Sequence, residues 1–114
     1  MSAITTHVLD TARGMPAEGV SVILSRQTED GGWEVLGQGE TNRDGRLPNL
    51  LSSDVALIEG TYRLIFDTDA YFNAQGLEGF YPSVTVLFRV REVGRHYHVP
   101  LLLSPFGYST YRGS

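Results

Sequence analysis

The chain contains no cysteine. That removes disulfides, thiolate nucleophiles and cysteine-based metal centres together, and it fits a reducing compartment. There is no lysine either: all nine basic residues are arginines, a side chain suited to planar, bidentate contacts with carboxylates and polar rings. A formal charge of −4 with no basic cluster to offset it argues against a nucleic-acid partner. No apolar run approaches the ~20 residues needed to cross a bilayer, so no membrane partner is expected. The opening residues Met1 to His7 have neither a basic start nor an apolar core, so no secretory leader is expected and a cytoplasmic protein is the default. The ending Arg112-Gly113-Ser114 is not a peroxisomal address. Repeats, low-complexity tracts and linkers are all missing, and the expectation is one domain over residues 1–114. A chain of that size buries roughly two-thirds of its unfolded surface, and its apolar fraction of 41% excludes the disordered class.

What is present is alternation. Val20, Val22 and Leu24 share one face of a period-two run; so do Tyr62, Leu64 and Phe66, and Val84, Val86, Phe88 and Val90. Turn signals separate the runs: Arg13-Gly14-Met15-Pro16, Glu29-Asp30-Gly31-Gly32, Asn42-Arg43-Asp44-Gly45 and Glu59-Gly60. Such spacing predicts an all-β antiparallel sandwich or barrel. Strands are expected near residues 4–10, 19–27, 33–40, 61–67, 84–92, 96–103 and 107–112, with a further short one around 52–55. The segment 68–76 breaks the pattern and predicts a two-turn helix, capped by Asp67 or Thr68 and terminated by Gly76 in the left-handed conformation.

Three histidines can move a proton near neutral pH: His7 in the first strand, and His96 and His98, two apart and so on one strand face. Any one of them alone reads as an ordinary histidine bonded to a neighbour. As a set they could ligate zinc, but only Asp10 stands nearby as a fourth ligand, and no metal is expected. Arg46, after the turn at Asn42, could hold an anionic or imide-like ring; alone, it reads as an exposed arginine. The segment Leu101 to Ser114 stays aromatic to its last residues, where most domains end loosely. If its last strand is extended, Arg112 and Ser114 share a face; Gly113 could instead break the alternation and send Ser114 elsewhere.

Four segments then carry a resemblance. Thr6-His7-Val8-Leu9-Asp10, Thr41-Asn42-Arg43-Asp44-Gly45-Arg46, the run from His96 to Pro105, and the closing Tyr111-Arg112-Gly113-Ser114 resemble the 5-hydroxyisourate hydrolases, the transthyretin-related proteins of urate breakdown. The likeness covers essentially the whole chain, and the closing tetrapeptide is its most specific part, since it separates the hydrolases from transthyretin proper. The resemblance implies a transthyretin-like sandwich of two four-stranded antiparallel sheets with one short helix. It implies a homotetramer, a dimer of dimers, with active sites where the dimers meet.

It also implies no cofactor and a small-molecule substrate, 5-hydroxyisourate, whose C6–N1 bond is hydrolysed to give 2-oxo-4-hydroxy-4-carboxy-5-ureidoimidazoline (OHCU). His7, Arg46, His98 and Ser114 are implied as catalytic residues. His7, Arg46, Tyr111, Arg112 and Gly113 are implied to bind substrate. His7 and His98 would line the water site, with the base left open between them, and Ser114 would act through its hydroxyl or a terminal carboxylate. On that reading, residues added after Ser114 impair activity. His96 stands outside the set. The rival reading is a transthyretin-like carrier without catalysis, for which polar His7, Arg46 and His98 make a poor channel; a purely structural sandwich domain is the third.

Overall fold

The structure is a computed structural model describing residues 2–114, so Met1 of the expected 1–114 domain lies outside the described residues. Among the described residues eight strands and one helix follow in the order β1 (Ile4–Asp10), β2 (Met15–Pro16), β3 (Ser21–Gln27), β4 (Trp33–Glu40), β5 (Gly60–Phe66), α1 (Thr68–Asn73), β6 (Val84–Val90), β7 (Tyr97–Ser104) and β8 (Gly107–Thr110). They form two four-stranded sheets, ordered β2-β1-β7-β8 and β4-β3-β5-β6. Among the described residues no helix is long and apolar enough to cross a membrane.

The alternation read in the sequence is the core. Val22 and Leu24 of β3, Tyr62, Leu64 and Phe66 of β5, and Ile4 and Val8 of β1 are fully buried between the sheets. Each such side chain contributes roughly 1.5–3 kcal/mol by leaving water. Their in-between neighbours face outward, so a one-residue slip of any strand would exchange core for surface. Ser25 Oγ and Arg63 Nε are buried without a hydrogen-bond partner, but other inner polar groups are paired: Thr6 donates its hydroxyl to the Val99 carbonyl at 2.7 Å. Asp10, 1% exposed, accepts the Tyr71 hydroxyl at 2.7 Å and the Arg13 amide at 3.0 Å, tying β1 to α1.

One strand pair departs from the antiparallel expectation. β1 runs parallel to β7, from Ile4 opposite Tyr97 to Asp10 opposite Leu103. A parallel pair needs a crossover, and here all four strands of the other sheet lie within it. The two-residue β2 was not expected; it forms where Leu9 pairs with Pro16, within the stretch read as a turn. No strand forms at 52–55: Ser52 makes a turn instead, accepting the Val55 amide on its carbonyl at 3.0 Å and the Asp54 amide on its hydroxyl at 3.2 Å. The helix is a turn shorter than expected. Asp67 is its cap, its carboxylate accepting the Ala70 amide, and Gly76 follows with φ +73°.

Candidate active site

The loop after β4 delivers Arg46. Asn42 organises it: its side-chain oxygen accepts the amides of Asp44 at 2.9 Å and Arg46 at 3.0 Å, while its own amide donates to the Arg46 carbonyl at 2.8 Å. Gly45 then presses against β1. Its carbonyl accepts the Val8 amide at 2.7 Å, its φ is +75°, and a Cβ there would lie 2.3 Å from the Val8 carbonyl oxygen. Only glycine fits both demands. The result is an isolated antiparallel bridge between Arg46 and His7.

Two rungs thereby cross the outer face of the β1–β7 sheet. One runs Arg46, His7, Pro100; the other, two residues along, runs Thr5, His98, Gly113. Residues two apart on a strand face the same side, so Thr5 and His7 rise together, as do His96 and His98. The Thr5 hydroxyl lies 2.8 Å from His98 Nδ1 and 3.0 Å from His96 Nε2. The two rings are near-parallel, 22° apart in plane with centroids at 6.3 Å.

Beyond β8 the tail stays in the register of the β7–β8 pair, and the Gly113 amide donates to the His98 carbonyl at 2.8 Å. Gly113 carries the edge of the imidazole: a Cβ there would stand 2.5 Å from His98 Cδ2. Arg112 and Ser114 do not share surroundings. The Arg112 guanidinium carbon lies 4.8 Å over the Tyr97 ring, whereas Ser114 joins Thr5, Thr6, Arg46, Leu47, Pro48, His96 and His98 around an open recess of about 370 Å³. The register persists as far as Gly113, and Ser114 beyond it borders the recess while Arg112 lies over Tyr97.

The sequence-derived residues therefore divide. Arg46, His98 and Ser114 meet in one recess. Tyr111, 57% exposed, and Arg112 line a second of about 290 Å³ between β6 and β7, which His98 also borders. His7 lines neither recess but stands two residues from Thr5 on the same face of β1, close enough to act electrostatically on His98. Thr5 is the residue that sequence reasoning missed. The signal was its place two residues before His7, on the same face, in a strand whose partner carries His98.

The recess is cationic. Burial, above all, holds the His98 imidazole below its ordinary pKa, and the positive charge of Arg46, then His96 and His7, pushes the same way; the Thr5 backbone opposes them weakly. No Asp or Glu side chain lines either recess. Among the described residues no three His, Asp or Glu side chains are grouped to hold a metal ion. What remains is a neutral imidazole able to accept a proton, beside a guanidinium able to hold a planar polar group or a developing oxyanion.

The model of the HIUase/Transthyretin family matches residues 4–113. The chain is 49% identical over 114 residues to the mouse 5-hydroxyisourate hydrolase, with 99% of this chain and 96% of that one covered. It is 47% identical over 111 residues to that of Salmonella dublin, covering 97% and 80%. Among solved structures, sea bream transthyretin in complex with thyroxine superposes with a TM-score of 0.92 at 37% identity, covering 98% of this chain and 95% of that one. Klebsiella pneumoniae 5-hydroxyisourate hydrolase superposes with a TM-score of 0.83 at 40% identity, covering 97% and 98%. With a family match over nearly its whole length, and with the sheets and site of the preceding paragraphs, the chain belongs to the HIUase/Transthyretin family.

Proposed function

We propose that this protein hydrolyses 5-hydroxyisourate at C6–N1, giving OHCU, through His98 as general base. The observation that carries the reading is His98 itself: a half-buried imidazole with a depressed pKa, held between Thr5 and Gly113 and sharing a recess with Arg46 and Ser114. The relatives from mouse and Salmonella dublin bear the name of that hydrolase, and hydrolysis is the reaction class they support for this chain.

In this mechanism water attacks C6 while His98 takes its proton. Arg46 stabilises the negative charge that grows on the carbonyl oxygen. When the C6–N1 bond breaks, its electron pair goes to N1, which receives the proton back from His98. His7 borders the water site from the same face of β1, two residues beyond Thr5. Ser114 lies where a hydroxyl contacts the ring, and Gly113 admits the close approach. Tyr111 and Arg112 hold the substrate from the second recess.

The reading includes one hydrolase domain over residues 1–114, a cytoplasmic setting, and no cofactor. It also includes a homotetramer, a dimer of dimers whose sites form where the dimers meet. Free edges on β6 and β8 and exposed Leu87, Tyr108 and Tyr111 are surfaces that such contacts would cover.

The likeness in shape to thyroxine-bound transthyretin favours a second reading, a carrier. A cationic recess is a poor host for a largely apolar ligand, since its arginine and imidazoles lose water without partners. The test is ultraviolet absorbance of freshly generated 5-hydroxyisourate. The hydrolase accelerates the decay in proportion to protein added. Decay at the spontaneous rate, with saturable thyroxine binding, establishes the carrier.

A further inference from the structure

We infer that Thr5 is a positioning residue that selects the reactive tautomer of His98 by accepting its Nδ1–H, with His96 as the second ring held on the same hydroxyl. The inference rests on the hydrolase reading and adds to it a pair of residues outside the family's catalytic set.

The argument is one of proton counting. Thr5 is 9% exposed, and its hydroxyl has two ring nitrogens within reach, His98 Nδ1 at 2.8 Å and His96 Nε2 at 3.0 Å. A hydroxyl has one proton to give. It can donate to one ring, and the bond to the other then requires that ring to donate. Three arrangements satisfy both distances: two in which the hydroxyl donates to one ring and accepts from the other, and one in which both rings donate to its two lone pairs while its proton points elsewhere.

In the first, Thr5 donates to His98 Nδ1 and His96 Nε2–H donates to Thr5. Neutral His98 then carries its proton on Nε2 and has no lone pair left for a water molecule. In the second, Thr5 donates to His96 Nε2 and His98 Nδ1–H donates to Thr5. His98 Nε2 is then unprotonated and can act as a base. Catalysis by His98 requires its Nδ1–H to donate to Thr5, which holds in the second arrangement and in the one where both rings donate, and leaves Nε2 free as the base.

The surroundings leave this task to a hydroxyl. A histidine base is commonly held in its tautomer by a carboxylate or a backbone carbonyl behind it. Here the groups facing His98 are His7 and Thr5 from β1, Arg46 from the loop at Asn42, His96 ahead of its own strand, and Gly113 and Ser114 from the tail, with no Asp or Glu side chain along either recess. A neutral oxygen orients the ring without raising its basicity as a carboxylate would, which is consistent with a base meant to stay unprotonated beside an arginine.

Two measurements test the inference. Nitrogen-15 NMR of the histidine rings, at a pH where His98 is neutral, reads the tautomer without substrate: the proton is expected on Nδ1 in the wild type and redistributed toward Nε2 in Thr5→Val. Steady-state kinetics of Thr5→Val are expected to show kcat lower by about 10- to 100-fold, within the range that correctly held bases contribute, with KM little changed. Thr5→Ser restores the hydroxyl and should recover most of the rate, and His96→Leu should give a smaller loss. Wild-type His98 found with its proton on Nε2, or Thr5→Val turning over at the wild-type rate, overturns the inference. Should Thr5→Val fail to fold, the wild-type tautomer alone decides. Failure of the hydrolase reading looks different: the wild type itself leaves 5-hydroxyisourate to its spontaneous decay, whatever the tautomer.

Discussion

Gly113 and His98 fit each other as backbone fits ring: the Gly113 amide donates to the His98 carbonyl at 2.8 Å, and the imidazole edge occupies the space a Cβ at 113 would need. Gly113→Ala must therefore move either the tail or the ring. The expected result is a kcat reduced by about 10-fold or more through misplacement of the base, with a stability change of only about 1 kcal/mol. Kinetics paired with thermal unfolding separate the two effects; an alanine variant with the native rate would mean that ring and tail are not coupled.

His98→Asn keeps a polar side chain of similar reach and removes the proton acceptor. The sandwich should assemble unchanged, since His98 projects from the outer face of the sheet, while kcat falls by roughly 10²–10⁴. Circular dichroism and the absorbance assay report on each half of that statement.

Arg46→Gln should move the His98 titration upward. Positive charge beside an imidazole disfavours its charged form, and Arg46 is the largest such neighbour after burial itself. Removing it lets His98 protonate at higher pH, so the acid limb of kcat/KM shifts to higher pH, and the NMR midpoint of the ring follows. The sign for folding is set by the same depression. With the native pKa below the ordinary 6.5, the contribution of His98 to stability is present above that pH and is lost as pH falls through the native value.

Gly45→Ala meets two obstacles, a positive φ and a Cβ 2.3 Å from the Val8 carbonyl oxygen. A loss of about 1–3 kcal/mol is expected, and because the same loop carries Arg46, activity should fall along with it. Chemical denaturation against the wild type measures the first, and the absorbance assay the second.

Tyr71→Phe is the contrasting case. It strips a buried hydrogen bond from Asp10 and should cost about 1–3 kcal/mol. Asp10 faces the core while His7 faces outward, so kcat in the folded variant should stay at its native level.

Much of this was legible beforehand because burial writes itself into strands with a period of two. Tyr62, Leu64 and Phe66 could be assigned to the core from spacing alone, and they are fully buried. The strand Met15–Pro16 was hidden because glycine and proline signal a turn, and a two-residue ladder leaves no alternation to read. The parallel pairing of β1 with β7 has no local signature at all, since each strand's pattern is the same whatever partner it takes. Thr5 was passed over for the same reason. Nothing about a threonine marks it, and its importance comes from a strand some ninety positions further along the sequence.

That parallel pairing also bears on how the protein comes into being. Thr5 and His98 face each other on one rung at the centre of their sheet, yet they lie at opposite ends of translation. During synthesis β1 emerges first and must wait, its apolar side unpartnered, until β7 follows it out of the ribosome. Catalytic competence is thus a property of the finished molecule alone: no growing intermediate, however well its β3–β5 half has folded, holds the means to turn over a substrate.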